Sequence, residues 1–251
     1  MMELEICVDS VESAIAAESG GAQRIELCSA LSEGGLTPSL GLIRAVRAKV
    51  GIGVFVMIRP RGGDFLYSAA ELDVMRHDIS SAADAGADGV VLGLLTTDGV
   101  VDVERTAELV ERARPMQVTF HRAIDMARNL EEALEDVIQA GAQRLLTSGG
   151  AQSAMLGMTQ AASLVHAAQG RIAVMVCGNV RSENVERIAM VTRAMEFHAA
   201  LRTAVSSPMS YRNNSLILGS AGVDYTRYVV LAEDVRELRL SMDRANPAEA
   251  V

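Results

Sequence analysis

The side chains best suited to chemistry in this sequence are one basic block and a few scattered histidines, acids and thiols. Arg59-Pro60-Arg61 sets two guanidiniums around a proline, with Gly62-Gly63 directly after. A guanidinium is always charged and presents a planar fork of donors that matches carboxylate or phosphate. The glycine pair lets the backbone turn freely. The block suits an anion clamp, and equally a tie between loops and neighbouring acids. His121 and His198 end apolar runs, and imidazole is the side chain that moves protons near neutral pH. Glu26 and Glu196 are placed to orient or partner them. Cys7 and Cys28 offer thiolates which, with a thioether such as Met57, favour Cu(I) over harder ions. Unpaired cysteine also packs as a small hydrophobe in ordinary cores, so both readings of the pair stay open.

These residues need elements to hold them, and apolar runs of strand length supply them. Leu4–Val8, Arg24–Cys28, the run from Gly53, Asp88–Gly93, Gln117–His121, Arg144–Ser148, Ile172–Val176 and Met195–His198 read as strands. Helical patterns separate them, with Ser10 and Ser182 as N-caps, a helix over Glu183–Met190 and a last one over Val230–Leu240. A polar loop from Ser206 to Thr226 precedes that last helix. Gly21-Ala-Gln-Arg-Ile, Gly86-Ala-Asp-Gly-Val and Gly141-Ala-Gln-Arg-Leu repeat, each closing a helix and opening a strand. Strands alternating with helices predict an α/β fold, a (β/α)₈ TIM barrel forming a single domain over residues 1–242, with a disordered tail over 243–251. A doubly wound sheet is disfavoured because no Gly-x-Gly-x-x-Gly follows the first strand.

Alternation along the strands sorts inside from outside. It turns Glu5, Cys7 and Asp9, then Glu26 and Cys28, then Phe55, Met57 and Arg59 inward. Thr119, His121, Glu196 and His198 follow. His77 and His166 fall on helices and read as surface. Burying this many ionisable groups costs several kcal/mol each unless they pair. The interior is therefore either a self-satisfied polar plug or a ligand site at the C-terminal mouth, where such barrels place chemistry. Two glycine-bearing turns also aim at that mouth: Thr147-Ser-Gly-Gly150, with Ser148 as a candidate anion contact, and Cys177-Gly-Asn-Val180. Turns that feed helix N-termini offer backbone amides to an anion.

Composition narrows the classes. The chain has 251 residues, 49% of them hydrophobic, ample for one large core. A net charge of -9 argues against nucleic acid or an anionic membrane as partner. No apolar run approaches a membrane span, and the acidic start lacks the pattern of a signal peptide. An odd set of 3 cysteines without framework spacing fits reduced thiols and a cytoplasmic setting. Lys49 is the only lysine, and its helical position nearly excludes Schiff-base chemistry.

Glu5-Ile-Cys-Val-Asp-Ser10, Arg24-Ile-Glu-Leu-Cys-Ser29, Leu31-Ser-Glu-Gly-Gly35, the block from Val56 to Tyr67, Val118-Thr-Phe-His-Arg-Ala123 and Leu146-Thr-Ser-Gly149 resemble the CutC family, named for copper homeostasis. The resemblance spans residue 3 to about 240. It implies a cytosolic barrel protein whose Cu(I)-binding cysteines correspond to Cys7 and Cys28. After the seventh strand the chain departs from the family's run of glycines with Cys177-Gly178-Asn179, which puts a third thiol near the mouth.

The expectation is a copper homeostasis protein binding Cu(I) through Cys7 and Cys28, with Met57 as a further ligand. The alternative is a barrel enzyme for a small carboxylate or phosphate. In that reading Arg59, Arg61 and Ser148 bind the anion, while Glu26, His121, Glu196 and His198 do acid–base work. A scaffold acting through its outer helices ranks last, because those helices show no apolar face beyond what a barrel needs. Self-association is compatible with either leading reading.

Overall fold

β1 (Glu3–Val8), β2 (Arg24–Leu27), β3 (Gly53–Met57), β4 (Gly89–Leu92), β5 (Gln117–Phe120), β6 (Arg144–Thr147), β7 (Ala173–Val176) and β8 (Glu196–Ala199) pair in parallel, each beside its neighbour in sequence, and β8 closes on β1. The computed structural model that shows this describes residues 2–213, 215–216 and 224–245. Parallel strands need crossovers. α1 (Val11–Ser19), α2 (Leu40–Arg47), α3 (Ala69–Asp84), α4 (Val103–Ala113), α5 (Leu130–Ala140), α6 (Ala154–Ala168) and α7 (Val185–Thr192) provide them. The architecture is the predicted TIM barrel. Its core lies between the sheet's outer face (Leu4, Ile6, Ile25, Leu27, Val54, Val56) and helix faces such as Leu72, Met75 and Ile79, all buried. Each such side chain contributes about 1.5–3 kcal/mol.

Local signals set most helix ends. Ser10 accepts a hydrogen bond from the Ser13 amide, and Ser68 and Glu71 form a reciprocal capping box on α3. The repeated Gly21, Gly86 and Gly141 adopt φ values of 98°, 82° and 88°, the left-handed backbone that ends a helix. α7 starts at Val185 rather than Glu183, because Ser182 is not its cap: that hydroxyl donates to Glu237. Asn184 takes the position instead, accepting from the Arg181 amide and donating to the Asn179 carbonyl.

Beyond β8 the sequence reads only as a polar loop, but β9 (Thr203–Ser206) and β10 (Thr226–Val229) pair there as an antiparallel ribbon. None of their side chains is buried, β9 alternating between half-buried and exposed and β10 exposing its middle pair, so no apolar run announces them. α8 (Ala232–Arg244) also outruns its predicted end, taking in the first residues of the expected tail. Arg239, on that helix, donates to the Met2 carbonyl and pairs with Asp243. Residues 246–251 lie outside the described residues.

The lower, N-terminal half of the barrel interior is a closed polar plug. Register sets Glu5 beside Arg24 on one side and His198 on the other. Arg24 donates to Glu5 at 2.5 Å and to Glu196 at 2.7 Å, and Arg144 reaches Glu196 at 2.5 Å. Both guanidiniums lie over the Phe55 ring, 5.1 and 5.3 Å from its centroid. Gly89 leaves room for that ring, since a Cβ there would sit 2.3 Å from it.

Candidate functional site

One step above the plug, register pairs Cys7 with Glu26. The Cys7 and Cys28 sulfurs are 3.9 Å apart, and the Cys28 sulfur lies 3.5 Å from Glu26 Oε2. His198 Nε2 is 3.9 Å from the same oxygen. One ligand atom each from Cys7, Glu26 and His198 falls within a 4.8 Å span, and all three residues are buried. Met57 is buried in the same small cluster. His198 Nδ1 sits 2.8 Å from Glu5 Oε1. An ionised carboxylate only accepts, so Nδ1 carries the proton and Nε2 is turned toward Cys7 and Glu26.

Charge in this cluster is strongly coupled. Burial alone would raise Glu5, but the charge of Arg24 and the hydrogen bond and charge of His198 outweigh it and hold the carboxyl at about 2. Cys7 is brought down to about 5, chiefly by hydrogen bonding with Cys28 and, against burial, by His198. Cys28 is pushed up by the same pairing and by burial. Burial raises Glu26, and the negative Cys7 raises it further. Burial opposes charge on His198, but Glu26, Cys7 and Glu5 around it raise it well above the usual imidazole range. Acids outnumber bases here, and the protons they share are what a bound cation would displace.

Above the cluster is a cavity of about 210 Å³, lined by Cys7, Glu26, Met57, Arg59, Phe65, His121 and His198 among others. It shares Gly34, Arg59, Phe65 and Arg122 with a wider outer cleft of about 670 Å³. His121 Nδ1 accepts from the Ala123 amide at 3.2 Å, and its buried Nε2 has no partner among the described residues. Burial, with the nearby positive Arg59, holds His121 down at about 3, so the ring is neutral and Nε2 bears the proton. Arg59 lines the cavity while donating to the carbonyls of Glu33, Gly35 and Gly63, so it ties loops as well.

Besides Cys28, which lies in the thiol pair below, three sequence candidates do not share this cavity. Arg61 turns outward, held by Asp64 and Glu71 and by the carbonyls of Gly62, Asp64 and Leu66. Glu196 sits at the opposite end of the barrel, engaged by Arg24 and Arg144. Ser148 does sit in an amide-rich turn, but the anion in that turn is the protein's own Asp125. The Asp125 carboxylate accepts from the Ser148 and Gly150 amides at 3.1 and 3.0 Å, and from the Thr147 and Ser148 hydroxyls at 2.6 and 3.0 Å. Cys177 is buried against Leu146 and Met175, and burial raises its thiol well above the usual range.

The inward arginines Arg24 and Arg144 are absent from the sequence candidates, although two signals mark them. Arg24 stands two positions before Glu26 on one strand face, and both arginines occupy the same place in the Gly-Ala-Gln-Arg repeat. Asp125 had no such signal, because it lies on an irregular 3-10 turn after β5.

A model of the CutC family matches residues 2–203. A Chromobacterium violaceum protein described as a family protein CutC is 52% identical over 243 residues, covering 96% of this chain and 98% of that one. The human copper homeostasis protein cutC homolog is 49% identical over 236 residues, covering 94% and 86%. The crystal structure of the CutC protein from Streptococcus agalactiae superposes with a TM-score of 0.75 at 32% identity, covering 79% of this chain and 98% of that one. Phosphoribosylanthranilate isomerase from Thermotoga maritima, at a TM-score of 0.60 and 14% identity, shares the fold alone. Among the described residues no helix is long and apolar enough to cross a membrane.

Proposed function

The chain belongs to the CutC family, and from that premise we propose that it is a copper homeostasis protein that binds Cu(I) through Cys7 and Cys28. The observation that carries the reading is the pair of buried sulfurs 3.9 Å apart, with the Glu26 carboxylate and the His198 imidazole beside them. With metal–sulfur bonds of about 2.3 Å, two sulfurs on one ion lie about 3.8 Å apart at a tetrahedral angle and at most about 4.6 Å apart. The pair needs little movement to take an ion. Metal ligation requires thiolate, and Cys7 is the thiol held low.

The rest of the cluster supports a cation in the same place. Glu26 Oε1 is buried without a partner among the described residues, and an ion beside it would satisfy it. Glu5 holds His198 from behind, in the carboxylate–histidine arrangement that directs the second ring nitrogen at a metal. The two sulfurs make the set soft, with Met57 as an additional soft donor in the same cluster. A cytosolic setting suits this role, because a thiol pair binds metal only while reduced.

The test is an anaerobic Cu(I) competition titration against a chelator, comparing wild type with the Cys7→Ser/Cys28→Ser variant. Binding of one copper per chain that disappears in the double variant supports the reading. Equal binding by both proteins would return the thiols to plain core packing.

A further inference from the structure

We propose that the cavity above the cysteine pair binds a small monocarboxylate, its carboxylate received by His121 Nε2 beside the Arg59 guanidinium. The site is built for such a ligand, beginning with the backbone. Gly93, just past β4, makes the place for the imidazole, since a Cβ there would sit 2.4 Å from His121 Nδ1. The Ala123 amide then engages Nδ1 and leaves Nε2 as a donor. His121 is 3% exposed and is one of the residues lining the cavity, and its buried Nε2 has no partner among the described residues. A buried donor in that state is matched by an acceptor from outside.

The sign of the surroundings says which acceptor. Arg59 is buried and lines the cavity; Arg122, paired with Asp125, and Arg202, lying over Tyr228, line it too. Phe65 lies against both anchors, its centroid 4.9 Å from that of His121 and 5.1 Å from Cζ of Arg59. Below that head, Leu31, Met57, Leu146 and Ala200 make an apolar chamber. A volume near 210 Å³ holds the equivalent of about seven waters at ~30 Å³ each. The fit is a short acid with an apolar body.

A phosphate is the poorer match. Phosphate needs several donors around it, and the amide-rich turn after β6 is already filled by Asp125. A metal is excluded as the partner of His121, because its free nitrogen carries the proton. The outer cleft shares four lining residues with the cavity and supplies the entry route. Because β2 and β5 are separated around the ring, His121 and the Glu26 side of the thiol cluster face one another across the chamber. Cys7, Glu26 and His198 line the same chamber, so the carboxylate sits next to the metal ligands but is held by other side chains.

The experiment is calorimetric titration of chelator-treated, metal-free protein with butyrate, with butyramide and inorganic phosphate as comparison probes. His121→Asn shortens the side chain, so that its amide oxygen can still accept from the Ala123 amide while no donor reaches the Nε2 position. Ala200→Leu, which fills the chamber, is a second variant that leaves both anchors in place. The expected result is one butyrate per chain, weakened about tenfold to hundredfold by His121→Asn and by exchange of butyrate for butyramide, and abolished by Ala200→Leu. Butyramide binding as well as butyrate, phosphate binding more tightly, or no butyrate binding by wild type at ~10 mM would each overturn the proposal. Failure here leaves the copper reading intact, since no metal is present and His121 is not among the metal donors.

Discussion

Glu5→Gln is the perturbation whose consequence the structure defines most sharply. The carboxylate is fully buried, takes the Arg24 guanidinium on one oxygen and His198 on the other, and has no solvent to fall back on. Glutamine keeps the shape but removes the anion between two cationic partners and turns a donor toward one of them. Breaking a buried pair in this way costs about 3–5 kcal/mol. The carboxyl itself gives a second route to the number. Its descent from 4.5 to about 2 corresponds to roughly 3 kcal/mol of preference for the charged form. In a chain of this length that is a fall in Tm of about 6–20 °C.

The pH dependence carries the sign. A carboxyl whose folded value is depressed contributes fully above 4.5 and loses its contribution as pH falls toward about 2. The gap between wild type and Glu5→Gln therefore narrows on acidification. His198, raised in the fold, acts in the opposite sense, contributing below 6.5 and losing that as pH climbs through its folded value. Urea unfolding at a series of pH values measures both. A loss below about 1 kcal/mol at neutral pH, or a gap that stays constant down to about pH 3, would refute the reasoning.

Two further outcomes follow from close contacts and from exposure. Gly157→Ala places a Cβ 1.8 Å from the Ser148 carbonyl oxygen, so α6 must lift from the turn after β6. A loss of about 1–3 kcal/mol in urea is expected, although alanine is intrinsically the better helix former by about 1 kcal/mol. Arg61→Ala removes a half-exposed loop tie and is expected to cost less than about 1 kcal/mol, with Cu(I) and butyrate binding unchanged. A drop in either affinity would put Arg61 back in the mouth.

What the sequence made legible and what it hid have distinct physical causes. The barrel was readable because a strand buried on both faces is an unbroken apolar run, and the repeated glycines mark where each helix gives way to one. Inward and outward residues are readable because side chains alternate, and alternation alone groups Glu5, Cys7, Glu26 and His198 on the inner face. Depth along the barrel axis was not readable. Glu196 and His198 share a face, yet one closes the plug and the other reaches the mouth, and only the stagger between strands decides that. The destination of long side chains was hidden too. Arg59 and Arg61 are two residues apart on a strand exit, but one folds back into the barrel and the other follows its acids to the surface. The Asp125 anion in the turn after β6 comes from an irregular turn that no periodicity describes.

The polar axis of the barrel divides at Glu5, and the division argues that the upper half is kept for ligands. Below it Arg24, Arg144 and Glu196 are all engaged, and the arginines stack on Phe55. Above it Glu26 Oε1, Arg59 Nε and His121 Nε2 are buried without partners among the described residues. Of the other such atoms, the Tyr67 hydroxyl lies beside Arg59, while Thr106 and Arg239 are on the outer helices α4 and α8. A polar interior kept only to specify the fold has no reason to leave its mouth unsatisfied, because each unmet group costs about 1–3 kcal/mol. The unmet groups instead collect at the end where this fold places its chemistry. Glu5 joins the two halves: the oxygen that anchors Arg24 belongs to the plug, and the oxygen that holds His198 sets which ring nitrogen faces the thiols. The same carboxylate that stabilises the barrel therefore aims the imidazole above it.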